Sequence, residues 1–412
     1  MIGRKAMNRF FKSQAFHYQT LRTMGHPLGA NPGECLAAIA GIRDGNAESW
    51  YEGWHAMGRR CEGWAQSSPD RITQGKAYLR ASNYYRTSEF FLHPSDERRI
   101  TTYDRSAALF VKGLDALGIR HAVWDIPYAD ARMRAYFFPG QEGKPLIMVC
   151  GGYDSTNEES FFWIGEGAVA RGYPCLLFEG PGQSHMIRRY KIRFTPAWEQ
   201  PVKAVLDHAE ARRPELAGRK KILFGISLGG RLVPRAAACE KRIDAVAIHG
   251  GAMFDVHRVA LNQMPLPGRI LYHLGLKGLF NALAAWKAER DIGLRWAVNN
   301  GCWTMGVADP FDLVRNFRSY ALEGYLPKIT CDVLIMNGAQ EHFYRPDRDT
   351  PPLKARLTQA RSVTEHLFRA PEGAAAHCQA GALEQAEQVF FDWVAHLFPR
   401  AAVPGGGVCQ EN

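Results

Sequence analysis

Lys220-Lys221-Ile222-Leu223-Phe224-Gly225-Ile226-Ser227-Leu228-Gly229-Gly230 lies just past the middle of the chain. Its apolar run predicts a buried strand, and the residues after Gly230 predict a helix. Between them stands Gly-x-Ser-x-Gly. A strand that turns at once into a helix needs small neighbours, because the turn is strained and a Cβ would clash there. Such a turn lifts the Ser227 hydroxyl above the sheet, within reach of a histidine. It also aims the Leu228 backbone N–H at the place where an oxyanion forms.

A nucleophilic serine needs a base, and the base needs an acid to orient it. Where this turn carries a triad, the acid and then the histidine follow the serine in the chain, each after a later strand. The strand expected at 332–336 runs into Asn337-Gly338-Ala339-Gln340-Glu341-His342-Phe343, which makes Glu341 the candidate acid, with Asp347 and Asp349 as rivals. The strand expected at 364–369 runs into Pro371-Glu372-Gly373-Ala374-Ala375-Ala376-His377, which makes His377 the candidate base. His342 beside the acid is either a plain loop histidine or a substrate contact, and His366 within a strand is read as structural.

A second oxyanion donor is expected from Gly151-Gly152-Tyr153-Asp154, after the strand at 146–150. The Tyr153 N–H is the first choice and Gly152 the second. Asp154 is then placed to overlook the site, or else simply forms the turn. Glu179-Gly180-Pro181-Gly182-Gln183 closes another strand with a tight turn. No Gly-Lys-Ser/Thr follows it, so it is not a phosphate loop, and no Gly-x-Gly-x-x-Gly opens a helix. Neither a cofactor nor a metal is expected.

Around these motifs, short strands are expected at 121–127, 133–138, 146–150, 173–178, 221–225, 244–248, 332–336 and 364–369. Fully apolar strands alternating with helices imply an α/β fold with a mostly parallel sheet covered on both faces. The first two are mixed in polarity and suit an antiparallel edge. Residues 1–98 read as a helical N-terminal cap region, 99–252 as the first part of the core, 253–328 as a helical lid insertion, 329–400 as the second part of the core, and 401–412 as a flexible tail. Trp50, Trp54, Met57, Cys61 and Trp64 form one apolar stripe, and Ala77, Ala81, Tyr84, Tyr85 and Phe91 another; both are expected to pack helix on helix, the alternative being that some line a substrate pocket. In the lid, helices are expected over Leu261–Leu283, interrupted by Pro265, Pro267 and Gly268, and over Ala284–Val298.

The 412 residues are 46% hydrophobic and 22% charged, as in a globular protein. The net charge of +10 is spread along the chain without a nucleic-acid-binding motif, so no nucleic-acid partner is expected. The nine cysteines are scattered, with no Cys-x-x-Cys, and read as buried thiols in a reducing compartment. The N-terminus shows no apolar signal region, and no apolar run is long enough to span a bilayer. A cytoplasmic enzyme with a small-molecule substrate and no membrane partner is the expectation.

The run from Gly225 to Ala238 resembles one branch of the α/β-hydrolase fold family. It is the branch that contains 2,6-dihydroxypseudooxynicotine hydrolase and the fungal heptaketide (yellowish-green pigment) hydrolases. Gly151–Glu159, Glu179–Gln183, Gly373–Gln379 and Arg80–Arg86 are similar to it as well, so the resemblance spans roughly 20–398. It implies a hydrolase core capped by helices, a triad of Ser227, an acid and His377, and cleavage of a carbon–carbon bond next to a ketone. It also suggests a homodimer paired through the N-terminal helices. The acid in that branch is usually Asp, whereas Glu341 stands here.

The residues and this resemblance together imply a serine hydrolase of an acyl or β-diketone substrate, such as a polyketide or aryl ketone of secondary metabolism. Two alternatives keep the fold. One is a cyclase or lactone-forming acyltransferase with the same triad, and the other is an inactive binding protein.

Overall fold

The structure is a computed structural model and describes residues 9–399. The basic extreme N-terminus and the tail at 401–412 lie outside the described residues.

Eight strands form one sheet: β1 (Ala122–Tyr128), β2 (Ala131–Phe138), β3 (Leu146–Cys150), β4 (Cys175–Phe178), β5 (Lys221–Ile226), β6 (Ala245–His249), β7 (Asp332–Gly338) and β8 (Ser362–Phe368). Their order is β1-β2-β4-β3-β5-β6-β7-β8. The first two run antiparallel to their neighbours and the rest are parallel. β3, β4, β5 and β6 are buried along their whole length, as their unbroken apolar runs require, whereas β1 alternates buried and exposed positions at the edge. β4 starts at Cys175, not at 173, because Pro174 has no N–H for the ladder.

Apolar side chains fill both faces of the sheet. One layer includes Trp198, Val202 and Val205 from the helix region at 198–212, with Leu232 and Val233 from the helix after Ser227. The other includes Phe161, Phe162, Phe390 and Val394. The N-terminal helices bury their own cluster, in which Trp50, Trp54, Met57 and Cys61 meet Tyr84, Tyr85 and Phe91. Asn46 and Asp70 cap the two long helices of this cluster by accepting from the N–H groups of Ser49 and Thr73. Trp64, expected at the end of the first stripe, is instead 46% exposed, because the buried face passes from Cys61 to Ala65, four residues on, and leaves Trp64 beside it.

The lid differs from the sequence expectation in its breaks. Five helices, Val256–Gln263, Leu266–His273, Lys277–Ala288, Ile292–Met305 and Pro310–Asn316, replace the two expected. Pro267 stands in the first turn of its helix, where a missing N–H costs nothing, so the prolines start a helix here rather than interrupt one. Gly275, at φ +69°, Asp291, capping the next helix through Gly293 and Leu294, and Gly306, at φ +65°, set the other three breaks. Among the described residues no helix is long and apolar enough to cross a membrane.

Candidate active site

β5 ends at Ile226, and Ser227 takes up φ 57° and ψ −119° before the helix Leu228–Cys239 begins. A non-glycine residue held there stores on the order of 1–3 kcal/mol of strain. Close packing over-determines it. The Ser227 N–H donates to the His249 carbonyl at 2.7 Å. A Cβ on Gly229 would lie 2.5 Å from the carbonyl oxygens of Cys150 and Gly151, so only glycine lets the helix start this close to the sheet.

His377 and Glu341 converge on this serine. His377 Nε2 is 2.8 Å from Ser227 Oγ, and His377 Nδ1 is 2.5 Å from Glu341 Oε2. The Glu341 side chain is fully buried and that of His377 nearly so. Burial opposes both charges, but the pair restores them. The histidine and its hydrogen bond hold Glu341 below its ordinary pKa despite desolvation. For His377, burial pulls the value down, yet the neighbouring Cys378 and Glu341 raise it, to about 10. The direction, upward from 6.5, follows from the Glu341 contact. The extra methylene of glutamate, compared with aspartate, is accommodated by the turn at Gly338, where the Glu341 N–H donates to the Gly338 carbonyl.

Gly152 packs directly over the serine. A Cβ there would lie 2.9 Å from Ser227 Cβ and 3.2 Å from the Leu228 nitrogen. The Gly152 N–H donates to Ser155 Oγ at 2.8 Å, so it is already engaged. Among the described residues the N–H groups of Tyr153 and Leu228 meet no acceptor, which leaves these two free to bind an oxyanion. Gln183, from the Gly-Pro-Gly turn, fixes this backbone by donating to the Gly151 carbonyl at 2.6 Å and accepting from the Gly180 N–H at 2.8 Å. The Tyr153 hydroxyl donates to the Ala297 carbonyl and Asn300 donates to the Tyr153 carbonyl, tying the same turn to the lid.

Above the serine lies a cavity of about 580 Å³. Its walls are mainly apolar, with Met253, Val259, Met264, Phe280, Leu283 and Val314 supplied by the lid side. The first helix, Gln14–Met24, closes the other side with Tyr18, Gln19 and Arg22. Arg22 is 2.7 Å from Asp154 and also pairs with the buried Glu159, which Arg86 contacts at 3.2 Å. Burial opposes the Arg22 charge, but Asp154 and Glu159 more than offset it and hold its pKa well above the ordinary value. Asp154 therefore stands on the cavity wall as a paired charge.

The other expectations fall outside this cluster. Asp347 is exposed and pairs with Arg345, and Asp349 accepts from the Arg345 N–H and pairs with Arg348, so neither rival reaches His377. His342 does not line the cavity. Its ring packs behind the base against Tyr18, Phe343 and His377, and burial beside His377 lowers its pKa to about 4. Tyr18 and Arg22 were not signalled by sequence, because the helix that carries them has no motif and its partners lie far along the chain.

No family model matches the sequence. The 20-hydroxy-prefusarin hydrolase FUS2 of Gibberella moniliformis is 33% identical over 95% of this chain and 98% of its own length. The alpha/beta hydrolase psoB of Aspergillus fumigatus is 30% identical over 95% of both chains. The crystal structure of 2,6-dihydroxy-pseudo-oxynicotine hydrolase superposes with a TM-score of 0.69 at 19% identity, over 93% of this chain and 96% of that one.

Proposed function

The chain belongs to the α/β-hydrolases, among relatives of these fungal hydrolases, and from that premise we propose that it is a serine hydrolase of an acyl or β-diketone substrate. The observation that carries this reading is the unbroken Ser227–His377–Glu341 chain of contacts, 2.8 Å and 2.5 Å long, at the floor of an apolar cavity.

In this mechanism His377 Nε2 accepts the Ser227 proton as Oγ attacks a substrate carbonyl carbon. The negative charge that develops on the carbonyl oxygen is met by the Leu228 and Tyr153 N–H groups. Glu341 holds the ring with Nδ1–H toward itself and stabilises the imidazolium. The tetrahedral intermediate collapses to a Ser227 acyl ester, and His377 returns the proton to the departing group. With an ester that group leaves as an alcohol. With a β-diketone the C–C bond breaks, and the second carbonyl takes up the electron pair as an enolate, which then gains the proton to become a ketone. His377 next deprotonates a water, which releases the acid and frees Ser227.

The carbon–carbon reading draws on the sequence resemblance and on the cavity. A volume of about 580 Å³ with apolar walls suits a polyketide or aryl ketone. Asp154, paired to Arg22, is the one carboxylate on that wall adjoining the Gly152–Tyr153 turn, and it serves to accept a hydrogen bond from a substrate hydroxyl.

The test is product analysis by mass spectrometry on matched aryl esters and aryl 1,3-diketones, with wild type and Ser227→Ala. Serine-dependent conversion of a diketone into an acid plus a ketone is the expected result. Cleavage of esters alone would make the protein a carboxylesterase, and a lactone or ring product would make it a cyclase that excludes water.

A further inference from the structure

Glu179 directly follows β4 and is 2% exposed, yet it does not line the cavity and forms no ion pair among the described residues. Its two oxygens go to backbone instead. Oε1 accepts from the Asn157 N–H at 2.7 Å, and Oε2 accepts from the His185 N–H, with the Tyr103 hydroxyl at 3.4 Å. Asn157 opens the helical run that continues to Ala170, and His185 stands at the start of the helix Met186–Tyr190. First-turn N–H groups have no partner within their own helix, and the positive end of a helix favours a carboxylate. One side chain thus holds the starts of two helices.

The residue type matters here. A carboxylate offers two acceptor oxygens and no hydrogen, whereas glutamine offers one oxygen and would point its NH2 group at the second N–H. Burial and Glu158 push the Glu179 carboxyl up to about 7, while the Asn157 and His185 N–H groups, and Arg134 from further off, pull it down. What those N–H groups gain lies in the turn before them. The chain from Gly151 to Thr156 leaves β3, carries the Tyr153 N–H and ends at Asn157. Gln183 holds the near end of this turn, donating to the carbonyls of Gly151 at 2.6 Å and Gly152 at 3.3 Å. Glu179 holds the far end through Asn157. Both anchors come from the single loop Glu179–Gln183. That loop is seated on β2, because the Glu179 N–H donates to the Arg134 carbonyl at 3.2 Å, and the Asn157 side chain donates to the same carbonyl at 2.9 Å.

We propose that Glu179 is a positioning residue for the reaction: with Gln183 it brackets the turn at 151–156 and sets where the Tyr153 N–H points. This role rests on the serine hydrolase reading, in which that N–H meets the oxyanion. Glu179 itself touches neither the substrate nor the triad.

The test compares wild type with Glu179→Gln, which keeps the size and one acceptor, in turnover of an aryl ester and in hydrogen exchange of the peptide spanning 151–157. A thermal melt checks that the variant folds. Glu179→Asp, which keeps the charge but is a methylene too short to span both N–H groups, is the second variant. In either variant, exchange in that peptide should speed up by about tenfold or more. The value of kcat should fall by about tenfold or more with KM within about twofold, and inhibition by an aryl boronic acid should weaken in step with kcat/KM. A role in stability alone would lower the melting temperature and leave kcat and boronate inhibition of the folded protein unchanged, and that result would overturn the proposal. Unchanged exchange at 151–157 would overturn it as well. Wild-type turnover that Ser227→Ala leaves intact would instead remove the hydrolase reading, and the role of Glu179 with it; that outcome is read from the serine variant and not from the Glu179 variants.

Discussion

The Tyr18 hydroxyl donates to the backbone carbonyl of His377 at 3.2 Å, joining two residues 359 positions apart. The first helix is thereby fastened to His377, and its next turn delivers Arg22 to the cavity wall. The N-terminal helices do more than cover the core, since one of them completes the site.

Tyr18→Phe keeps the ring and removes this bond, leaving a buried carbonyl without its donor. Such a loss costs about 1–3 kcal/mol. If it is felt at the base, kcat falls by about tenfold with the protein still folded. Steady-state kinetics beside a thermal melt check this, and an unchanged kcat would show that Tyr18 only packs.

The pH profile tests the Glu341–His377 pair. Only neutral His377 can accept the serine proton, and its pKa lies above the ordinary 6.5. The rise of kcat/KM with pH is therefore expected to lie above 6.5, because the base stays protonated at lower pH. Glu341→Gln removes the charge that opposes burial, so the rise moves below 6.5 while the rate itself drops on the order of 10⁴-fold. A rise at the same pH in both proteins would show that Glu341 does not set the histidine's charge.

Much of this site was legible in the sequence because its signals are local. Ser227, Glu341 and His377 each follow the end of a strand, and the chain order of the three constrains the choice. Arg22 was not legible, since the carboxylates it pairs with lie 132 and 137 positions away and no periodicity links them. His342 does not line the cavity; its ring packs against Tyr18, Phe343 and His377. The lid breaks were blurred by composition: the apolar run continues through Gly275, and only the positive φ there ends the helix.

Gly152→Ala places a Cβ 2.9 Å from Ser227 Cβ and against the Leu228 nitrogen, where neither backbone can yield. The turn that offers the Tyr153 N–H must then move. A loss of about 10²-fold or more in kcat is expected, the scale of losing one oxyanion donor. Inhibition by an aryl boronic acid, which mimics the tetrahedral intermediate, should weaken in parallel. A variant with full activity would remove this turn from the oxyanion site.

Arg22→Ala leaves Glu159 buried with only Arg86 and deprives Asp154 of its partner. Breaking a buried pair from one side costs about 3–5 kcal/mol, so urea denaturation should show a loss of that size. Asp154→Asn should be milder in stability and should raise KM for hydroxylated substrates more than for their deoxy analogues. An equal effect on both would show that Asp154 makes no contact with a substrate hydroxyl.

The central claim is that Ser227 becomes acylated, and intact-mass spectrometry of the protein quenched during turnover of an aryl ester or aryl diketone tests it most directly. The account predicts one added acyl group, mapped to the peptide containing Ser227, absent from Ser227→Ala and accumulating when the water-dependent step is slowed. Turnover at the wild-type rate by Ser227→Ala, or an acyl group carried on another residue, would contradict it.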